Sequence, residues 1–291
     1  MPEAVASPRT AERPPAPPPE LLFRRRIRLR RSLPELWRSR ELIRTLAERE
    51  VRARYKQAFL GASWAVITPI VLMVVFTVFL KRVAKIDTGN VPYPLFSYVG
   101  LLPWTFFSTS VNTGGQSLVS NSSLLNKVYC PREVFPVASV FVAGFDAIIS
   151  TGVLGLLFVI YTFAPKVTSL WVPVLFVLQL GFTVGVTLFI SGIVVYLRDL
   201  RQALSILLQL GLFATPVAYG IDGIVPNPFW RPIYCALNPL AAVIDGYRRV
   251  VLLGLPPRWE LVAPAAVTTV LILFLGYTVF KRLETGFADV A

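Results

Sequence analysis

The side chains that usually carry enzyme chemistry are scarce in this sequence. Histidine is absent, and the two cysteines, Cys130 and Cys235, lie far apart, so we expect no imidazole base, metal cluster or disulfide framework. The phosphate-binding pattern Gly-x-x-x-x-Gly-Lys-Ser/Thr does not occur, and Asp146, Asp199 and Asp222 are too scattered to act as paired carboxylates. The residues therefore predict no catalytic centre, cofactor or metal in this chain.

Composition places the chain in a lipid bilayer. It has 291 residues, 55% of them hydrophobic, and a mean hydropathy of +0.63, which is more apolar surface than one soluble core can bury. The first long apolar run covers residues 59–80. This run begins too late and is too long for a secretion signal, so no cleaved leader is expected.

Positive charge is concentrated before the first apolar run. Residues 1–58 hold 15 of the 29 Lys and Arg against 7 acids, out of a formal net charge of +13. Beside membrane spans such an excess is typical of a cytoplasmic flank that contacts anionic lipid. No recognition fold for nucleic acid is visible here, so we predict no nucleic-acid partner.

The amino-terminal region divides into two parts. Residues 1–31 are proline-rich and then basic, which predicts a disordered tail. Ser32 and Glu35 form a capping-box pattern that begins an amphipathic helix over residues 32–57, in which Glu48 can pair with Arg44 and Arg52, and Glu50 with Arg54. This helix is expected to lie on the membrane surface, although a solvated helix leading into the bilayer fits the same pattern.

The remaining residues, 58–291, predict an all-α integral membrane domain with six spans. These spans are residues 59–80, 95–111, 134–163, 170–195, 204–219 and 261–280. An even count puts both termini in the cytoplasm and makes the chain a multi-pass protein of the inner (plasma) membrane. Basic residues after the first span number six inside and eight outside, so the orientation depends mainly on the first segment.

Prolines interrupt the long apolar stretch between the fifth and sixth spans. Asn238 and Pro239 mark a helix start and Gly254 follows its end, which predicts a helix over residues 239–253. Its apolar face opposes a face that carries Asp245, Arg248 and Arg249. A re-entrant hairpin that rims a pore fits this pattern, and an external loop with an amphipathic helix is the alternative.

Several ordered sequence blocks resemble one transporter family. They are Arg-Ala-Arg-Tyr-Lys-Gln with Leu-Gly-Ala-Ser-Trp in residues 52–64, Gly-Leu-Leu-Pro-Trp in 100–104, Leu-Asn-Lys-Val-Tyr-Cys-Pro-Arg-Glu-Val-Phe-Pro in 125–136, Arg-Asp-Leu in 198–200, Thr-Pro-Val in 215–217, and Asn-Pro with Asp-Gly-Tyr-Arg in 238–248. From about Leu46 to its end, the chain resembles the permease subunit of type-two ATP-binding-cassette exporters of O-antigen, teichoic acid, capsule and related glycans. Cys130 stands where relatives often carry Phe.

This resemblance implies a homodimer around one channel, working with two copies of a nucleotide-binding ATPase subunit. The partner ATPase would bind the ATP and magnesium, and the substrate would be a lipid-linked polysaccharide. A membrane-embedded enzyme of glycan assembly is one alternative function. A scaffold for such an assembly is another.

The resemblance also implies a coupling element in the loop of residues 121–135. The candidates for contact with the ATPase are Leu125, Lys127, Tyr129, Arg132, Glu133, Arg198 and Asp199. A plain connecting turn is the alternative for the first loop. For Arg198 and Asp199 the alternative is a role in membrane orientation alone.

Aromatic and charged residues supply candidates for substrate contact. Flat rings can stack on sugars, and the channel candidates are Trp64, Phe76, Trp104, Phe106, Phe107, Phe213, Tyr219, Phe229 and Trp230; lipid-facing packing is the alternative for each ring. At the predicted rim, the candidates for a gate or a lipid phosphate are Asp245, Tyr247, Arg248 and Arg249, where an Asp245–Arg249 ion pair is the structural alternative. Asp146, in mid-span, is expected to bind a cation or hydroxyl for structure rather than to contact substrate.

Overall fold

The computed structural model describes residues 38–56, 63–83, 89, 91–125, 130–197 and 199–284. Regular structure in these ranges is helical, with no β-strand among them, which confirms the all-α prediction. The helices are α1 (Arg40–Lys56), α2 (Ser63–Phe76), α3 (Tyr93–Ser120), α4 (Ser122–Leu125), α5 (Val134–Ile160), α6 (Val172–Val194), α7 (Leu200–Ala214), α8 (Ile221–Ile224), α9 (Arg231–Leu237), α10 (Pro239–Arg248) and α11 (Trp259–Glu284).

Irregular helical turns extend or connect these helices. π-Helical turns continue α2 over Thr77–Val83 and α10 over Arg249–Leu253. 3₁₀ turns precede α6 at Val167–Trp171 and α9 at Pro228–Trp230. The predicted tail of residues 1–31 and the capping box at Ser32 lie outside the described residues.

Helix α1 is the described part of the predicted amphipathic helix. The predicted ion pairs are confirmed, with nitrogen–oxygen distances of 2.8 Å for Arg44–Glu48, 3.0 Å for Arg52–Glu48 and 3.6 Å for Arg54–Glu50. The opposite face packs on α5, and Ile43 is 8% exposed there. Leu42, Leu46 and Ala47 are partly buried against the same cluster, so the described apolar face of α1 packs in part against protein.

Three helical segments of the described chain are long and apolar enough to cross a membrane. They are Val134–Ile160, Val167–Val194 and Trp259–Glu284. Trp64–Leu80 and Leu200–Ala214 are shorter apolar helices. Helix α3 has 28 residues, which corresponds to about 42 Å. The chain is therefore a multi-pass membrane protein, and the count of six spans stays a prediction.

Helix α3 lies at the centre of the bundle and contacts α2, α5, α6, α7 and α10. Its side chains Tyr93, Tyr98 and Leu101 are completely buried. Glycines allow α11 to pack closely on α6, because a Cβ at Gly276 would overlap the carbonyl oxygen of Gly185. Close backbone approach at small residues is a common way to hold membrane helices together.

The fifth predicted span ends earlier than expected. The sequence predicted apolar helix over residues 204–219, but α7 ends at Ala214 and Thr215 is extended, with ψ near 141°. Pro216 causes this break, because the residue before a proline is disfavoured in helical conformation. The chain then continues through α8 and α9 to α10.

The predicted helix over residues 239–253 is confirmed as α10 with its π-helical extension. Pro239 is its first residue, where a missing N–H costs nothing. Gly254 follows the last turn with φ of +73°, a left-handed conformation that glycine adopts without steric cost. The Asn238 side chain does not cap this helix and instead donates to Thr215 Oγ1 at 2.9 Å.

Candidate functional site

The first candidate site is the loop of residues 121–133 between α3 and α5. The Arg49 side chain of α1 donates to Asn121 Oδ1 at 2.8 Å, which fastens α1 to the start of this loop. Lys127 and Tyr129 lie outside the described residues, as does the side chain of Leu125 within the short helix α4.

At the other end of this loop, Glu133 forms a buried ion pair with the last helix. Its side chain is 0% exposed, and Lys281 Nζ of α11 lies 2.8 Å from each carboxylate oxygen. Lys281 also pairs with Glu284 Oε2 at 2.9 Å. Burial raises the pKa of the Glu133 carboxyl and the hydrogen bond from Lys281 lowers it, with a net upward direction.

Two further hydrogen bonds hold the end of α11. Arg132 Nη1 donates to the carbonyl oxygen of Glu284 at 2.8 Å, and Tyr196 Oη donates to that of Leu283, also at 2.8 Å. We call Arg132, Glu133, Lys281 and Glu284 the α11 clamp. The clamp satisfies carbonyls that a helix end leaves without intrahelical partners. It also joins the end of this loop to the end of α11.

The structure brings only some of the predicted coupling residues together. Arg132 and Glu133 point toward α11, whereas Asp199 is exposed at the start of α7, where its carbonyl accepts from the Gln202 and Ala203 amides. Arg198 lies outside the described residues. Sequence reasoning treated Lys281 only as a charged flank, because nothing in the chain order indicates that it meets a residue 148 positions away.

The second candidate site is the turn of residues 215–220 that follows α7. The guanidinium of Arg248 donates to the carbonyl oxygens of Phe96 at 3.2 Å and of Pro216 and Tyr219 at 2.7 Å each, and it also donates to that of Val217. The central carbon of the guanidinium, Cζ, lies 3.8 Å from the centroid of the Phe96 ring. The guanidinium thus satisfies three carbonyl oxygens of the non-helical turn, at Pro216, Val217 and Tyr219.

The burial of Arg248 differs from the predicted amphipathic pattern. Helical periodicity places it on the polar face, but its side chain is 4% exposed. The reason is that the unwound turn beside α10 supplies carbonyl acceptors, which a helical projection does not include. An open cavity of about 700 Å³ lies beside it, with Phe96, Tyr219 and Asp222 also in its wall.

Ion pairs connect the segments around α10 on the side of Asp222. Arg258 binds both Asp222 oxygens at 3.0 and 3.2 Å, and Arg231 lies 2.6 Å from Asp222 Oδ1. Arg258 Nε also lies 3.9 Å from Asp245 Oδ2. We call Asp222, Arg231, Asp245 and Arg258 the arginine cluster. The hydrogen bond from Arg258 is the main cause that lowers the pKa of the Asp222 carboxyl.

The remaining rim candidates have other partners. Arg249 Nε donates to the carbonyl oxygen of Pro256 at 3.0 Å. Tyr247 Oη donates to Gln179 Oε1 at 2.9 Å, and Gln179 Nε2 donates to the carbonyl oxygen of Pro103 at 2.9 Å. This buried chain of hydrogen bonds joins α10, α6 and α3. Gln179 has no signal in the sequence beyond being a polar residue within an apolar span.

The nine aromatic channel candidates divide by exposure. Phe76, Trp104, Phe106 and Phe107 are at most 9% exposed and pack inside the chain. Tyr219 is partly exposed, and the strongly exposed rings are Trp64 (56%), Phe213 (62%), Phe229 (71%) and Trp230 (55%). Only the exposed rings are accessible to a ligand in this conformation.

Asp146 in α5 forms an ion pair, as expected for a mid-span carboxylate. Its Oδ2 accepts from Arg54 Nη1 of α1 at 2.8 Å. The sequence did not identify Arg54 as this partner. The pair borders a cavity of about 290 Å³ whose wall includes Trp64 and Thr105.

Comparison with known proteins adds independent information. Residues 41–252 match the protein family described as "ABC-2 type transporter". The chain is 32% identical to the O-antigen export system permease protein RfbA of Myxococcus xanthus over 255 residues, which cover 88% of this chain and 97% of the relative. It is 27% identical to the protein of the same name from Klebsiella pneumoniae, over 86% and 95% of the two chains. The polysialic acid transport protein KpsM of Escherichia coli is 22% identical, over 83% and 93%.

Proposed function

Because this chain belongs to the ABC-2 type transporter family, we propose that it is the membrane-spanning permease of a polysaccharide exporter. The observation that carries the proposal is the near full-length match to permeases named for export of O-antigen and transport of polysialic acid. As a transporter permease the chain is not itself an enzyme. It carries no Walker phosphate loop, so a separate ATPase supplies the energy.

The proposed topology has six spans, with both termini in the cytoplasm of the inner (plasma) membrane. The spans are α2 with its π-helical extension, α3, α5, α6, α7 and α11. Helix α7 has 15 residues, or about 22 Å, which is short of a hydrocarbon core of about 30 Å. The segment from Thr215 to Gly254 fills the remaining membrane thickness beside α7 as a re-entrant hairpin. The N–H groups of Arg248 support this assignment, because they bind the non-helical backbone of that segment.

The homodimer contact is proposed along α7. Within one chain α7 buries only Leu204, while Ile206, Leu207, Leu210 and Phe213 are each at least 55% exposed. The exposed polar residues Gln202, Ser205 and Gln209 form a second stripe on the same helix. A polar stripe is costly against lipid. The apolar stripe of α7 therefore meets a second copy, and the polar stripe borders the channel for the lipid-linked polysaccharide.

Coupling to ATP proceeds through the loop of residues 121–133. Each of two ATPase subunits docks on this loop in one permease copy, and closure of the ATPase pair moves the loop as a rigid body. The α11 clamp transmits the displacement to α11, and the close contact of Gly276 with Gly185 passes it on to α6. In this mechanism the protein performs no covalent chemistry.

Thiol labelling tests the topology and the dimer. In a background without Cys130 and Cys235, a cysteine at Phe229 is expected to react with a membrane-impermeant reagent added outside, and a cysteine at Asp199 only after the cells are opened. A cysteine at Leu210 is expected to form a homodimer cross-link. Labelling of Asp199→Cys in intact cells would show that the proposed topology is inverted. Absence of the Leu210 cross-link would show that α7 does not form the dimer interface.

Copurification tests the exporter itself. Coexpression with the ATPase subunit of the same transport system is expected to yield a complex of two permeases and two ATPases whose ATP hydrolysis changes when lipid-linked polysaccharide is added. Loss of Arg132 and Glu133 side chains together should reduce that response while the protein stays in the membrane. An ATPase that neither binds this chain nor responds to the polysaccharide would refute the proposed function.

A further inference from the structure

A wide groove separates α5 from α6, with α3 at its floor. Its volume is about 780 Å³. The wall is almost entirely apolar and includes Leu102, Phe106, Phe141, Ile148, Phe176 and Leu180. None of these residues belongs to the α11 clamp or to the arginine cluster, so the groove is separate from the candidate sites described above, apart from the Phe106 ring and the Tyr247 hydroxyl that reach its wall.

The polar groups in the groove wall are engaged by the protein. Thr151 Oγ1 donates to the carbonyl oxygen of Ala147 at 2.8 Å. Tyr247 donates to Gln179, which in turn donates to the carbonyl oxygen of Pro103. The groove therefore offers little hydrogen bonding to a polar ligand, and its chemistry suits a hydrocarbon.

The mouth of the groove is lined by exposed apolar side chains of two segments that can cross a membrane. Phe141 is 63% and Ile148 71% exposed along it, and both α5 and α6 belong to segments that are long and apolar enough to cross a membrane. Water is scarce at that depth, and an empty groove would forfeit the dispersion contacts of its wall. The surrounding hydrocarbon is the material that fills it.

The groove extends along most of α5. Its lining residues on that helix run from Val137 to Leu154, which corresponds to about 25 Å at 1.5 Å per residue. The groove therefore follows most of the hydrocarbon thickness of about 30 Å, which acyl chains fill.

A basic residue, Lys166, is adjacent in the chain to residues at one end of the groove. Lys166 directly follows Pro165 and precedes Ser169 by three residues, and both of those residues line the groove. Its side chain is exposed, with Nζ 5.6 Å from the centroid of the Phe163 ring. In the described part of the chain it forms no ion pair with a carboxylate. An anionic headgroup is the complementary partner for this ammonium.

We propose that the groove binds one anionic phospholipid, with an acyl chain between α5 and α6 and its phosphate at Lys166. The lipid fills the space that the two splayed helices leave open over α3. This site does not depend on which substrate the protein exports. It is therefore tested on the chain in vesicles without transport.

The test uses photoactivatable lipids and two matched glycine variants of α5. The full-length protein is placed in vesicles of phosphatidylglycerol and phosphatidylcholine, with a trace of either lipid carrying a diazirine at the acyl-chain end. Gly144→Phe fills the groove, because a Cβ there meets only Phe106 Cε2 at 3.8 Å. Gly152→Phe is the control on the same helix, since its Cβ meets nothing within 4 Å and it lies outside the groove. Ile148→Trp narrows the groove from its mouth and replaces Gly144→Phe if that variant does not fold.

Labelled peptides are then identified by mass spectrometry. We expect adducts on α5 and α6 that fall about tenfold in Gly144→Phe, the loss that corresponds to about 1.4 kcal/mol of binding, and that persist in Gly152→Phe. Phosphatidylglycerol should label about fivefold more than phosphatidylcholine, and Lys166→Glu should abolish that preference. Equal labelling of the wild type and the groove-filling variant overturns the site. Equal labelling by both lipids overturns the anionic headgroup, and protein–protein adducts from the groove show a helix as the occupant instead.

Discussion

Removing Lys281 is predicted to destabilise the protein far more than removing a similar ion pair on its surface. The Glu133 carboxylate is 0% exposed and has Lys281 Nζ at 2.8 Å, and Lys281 itself is 11% exposed. Breaking a buried pair by deleting one partner costs about 3–5 kcal/mol, because an uncompensated charge remains. We expect about 3 kcal/mol for Lys281→Ala, the lower end, since the Glu133 carboxyl, whose pKa burial already raises, can take up a proton.

The Arg44–Glu48 pair in α1 is the matched control. Its nitrogen–oxygen distance is also 2.8 Å, but its side chains are 76% and 44% exposed. Arg44→Ala is expected to cost far less than Lys281→Ala, because solvent screens an exposed pair on a helix surface. The measurement is the free energy of unfolding in detergent micelles for both variants. Equal losses would refute the argument that burial, and not distance, gives the α11 clamp its energy.

A double-mutant cycle separates the ion pair from other effects of the substitution. In Glu133→Gln with Lys281→Met, the fully buried carboxylate of Glu133 is removed together with its partner, and only Glu284, which is 18% exposed, loses its ion pair. The double variant is therefore expected to recover at least about 1 kcal/mol relative to the sum of the single variants. Transport adds a second readout. The double variant should fold and hydrolyse ATP with the partner ATPase yet export less per ATP, because of the α11 clamp only the Arg132 hydrogen bond still joins the loop to α11. Full export at normal efficiency would show that the clamp is structural only.

Three further substitutions test the other contacts. Arg248→Met leaves buried carbonyls without donors and is expected to lower the free energy of unfolding by about 3 kcal/mol or more; a loss below about 1 kcal/mol would contradict its role in the turn. Asp222→Asn should cost up to about 1 kcal/mol at pH 7. The pKa of Asp222 is below its ordinary 3.8 in the folded chain, so its contribution is present above pH 3.8 and is lost as the pH falls through the lowered value. The variant should lack that part of the acid dependence of unfolding, and an unchanged pH profile would count against the pairing with Arg258. Asp146→Asn should show a coupling energy of about 1 kcal/mol with Arg54→Ala in a double-mutant cycle, and zero coupling would exclude the pair.

Local signals in the sequence predicted local structure well. The start of α10 at Pro239 and its end before Gly254 follow from the fixed φ of proline and the left-handed conformation of glycine. The ion pairs of Glu48 with Arg44 and Arg52 follow from helical spacing. Each of these features depends on residues within a few positions of one another, so the chain order contains the needed information.

Contacts between distant segments were not predictable in the same way. Glu133 and Lys281 are 148 positions apart, and Arg54 and Asp146 are 92 apart. Their partners depend on how helices pack, which periodicity within one helix does not specify. Arg248 illustrates the consequence, because a helical projection exposes it to solvent while the neighbouring unwound turn buries it.

The most direct test of the proposed export is transport in proteoliposomes. The permease is reconstituted with its partner ATPase, lipid-linked polysaccharide is supplied on the side where the ATPase is exposed, and a membrane-impermeant glycosidase or lectin detects polysaccharide on the other side. Polysaccharide is expected to become accessible only with hydrolysable ATP, and the Lys281→Ala variant is expected to transport less per ATP. Accessible polysaccharide without ATP, or none with ATP and an active ATPase bound, would contradict the assignment of this chain as the export permease.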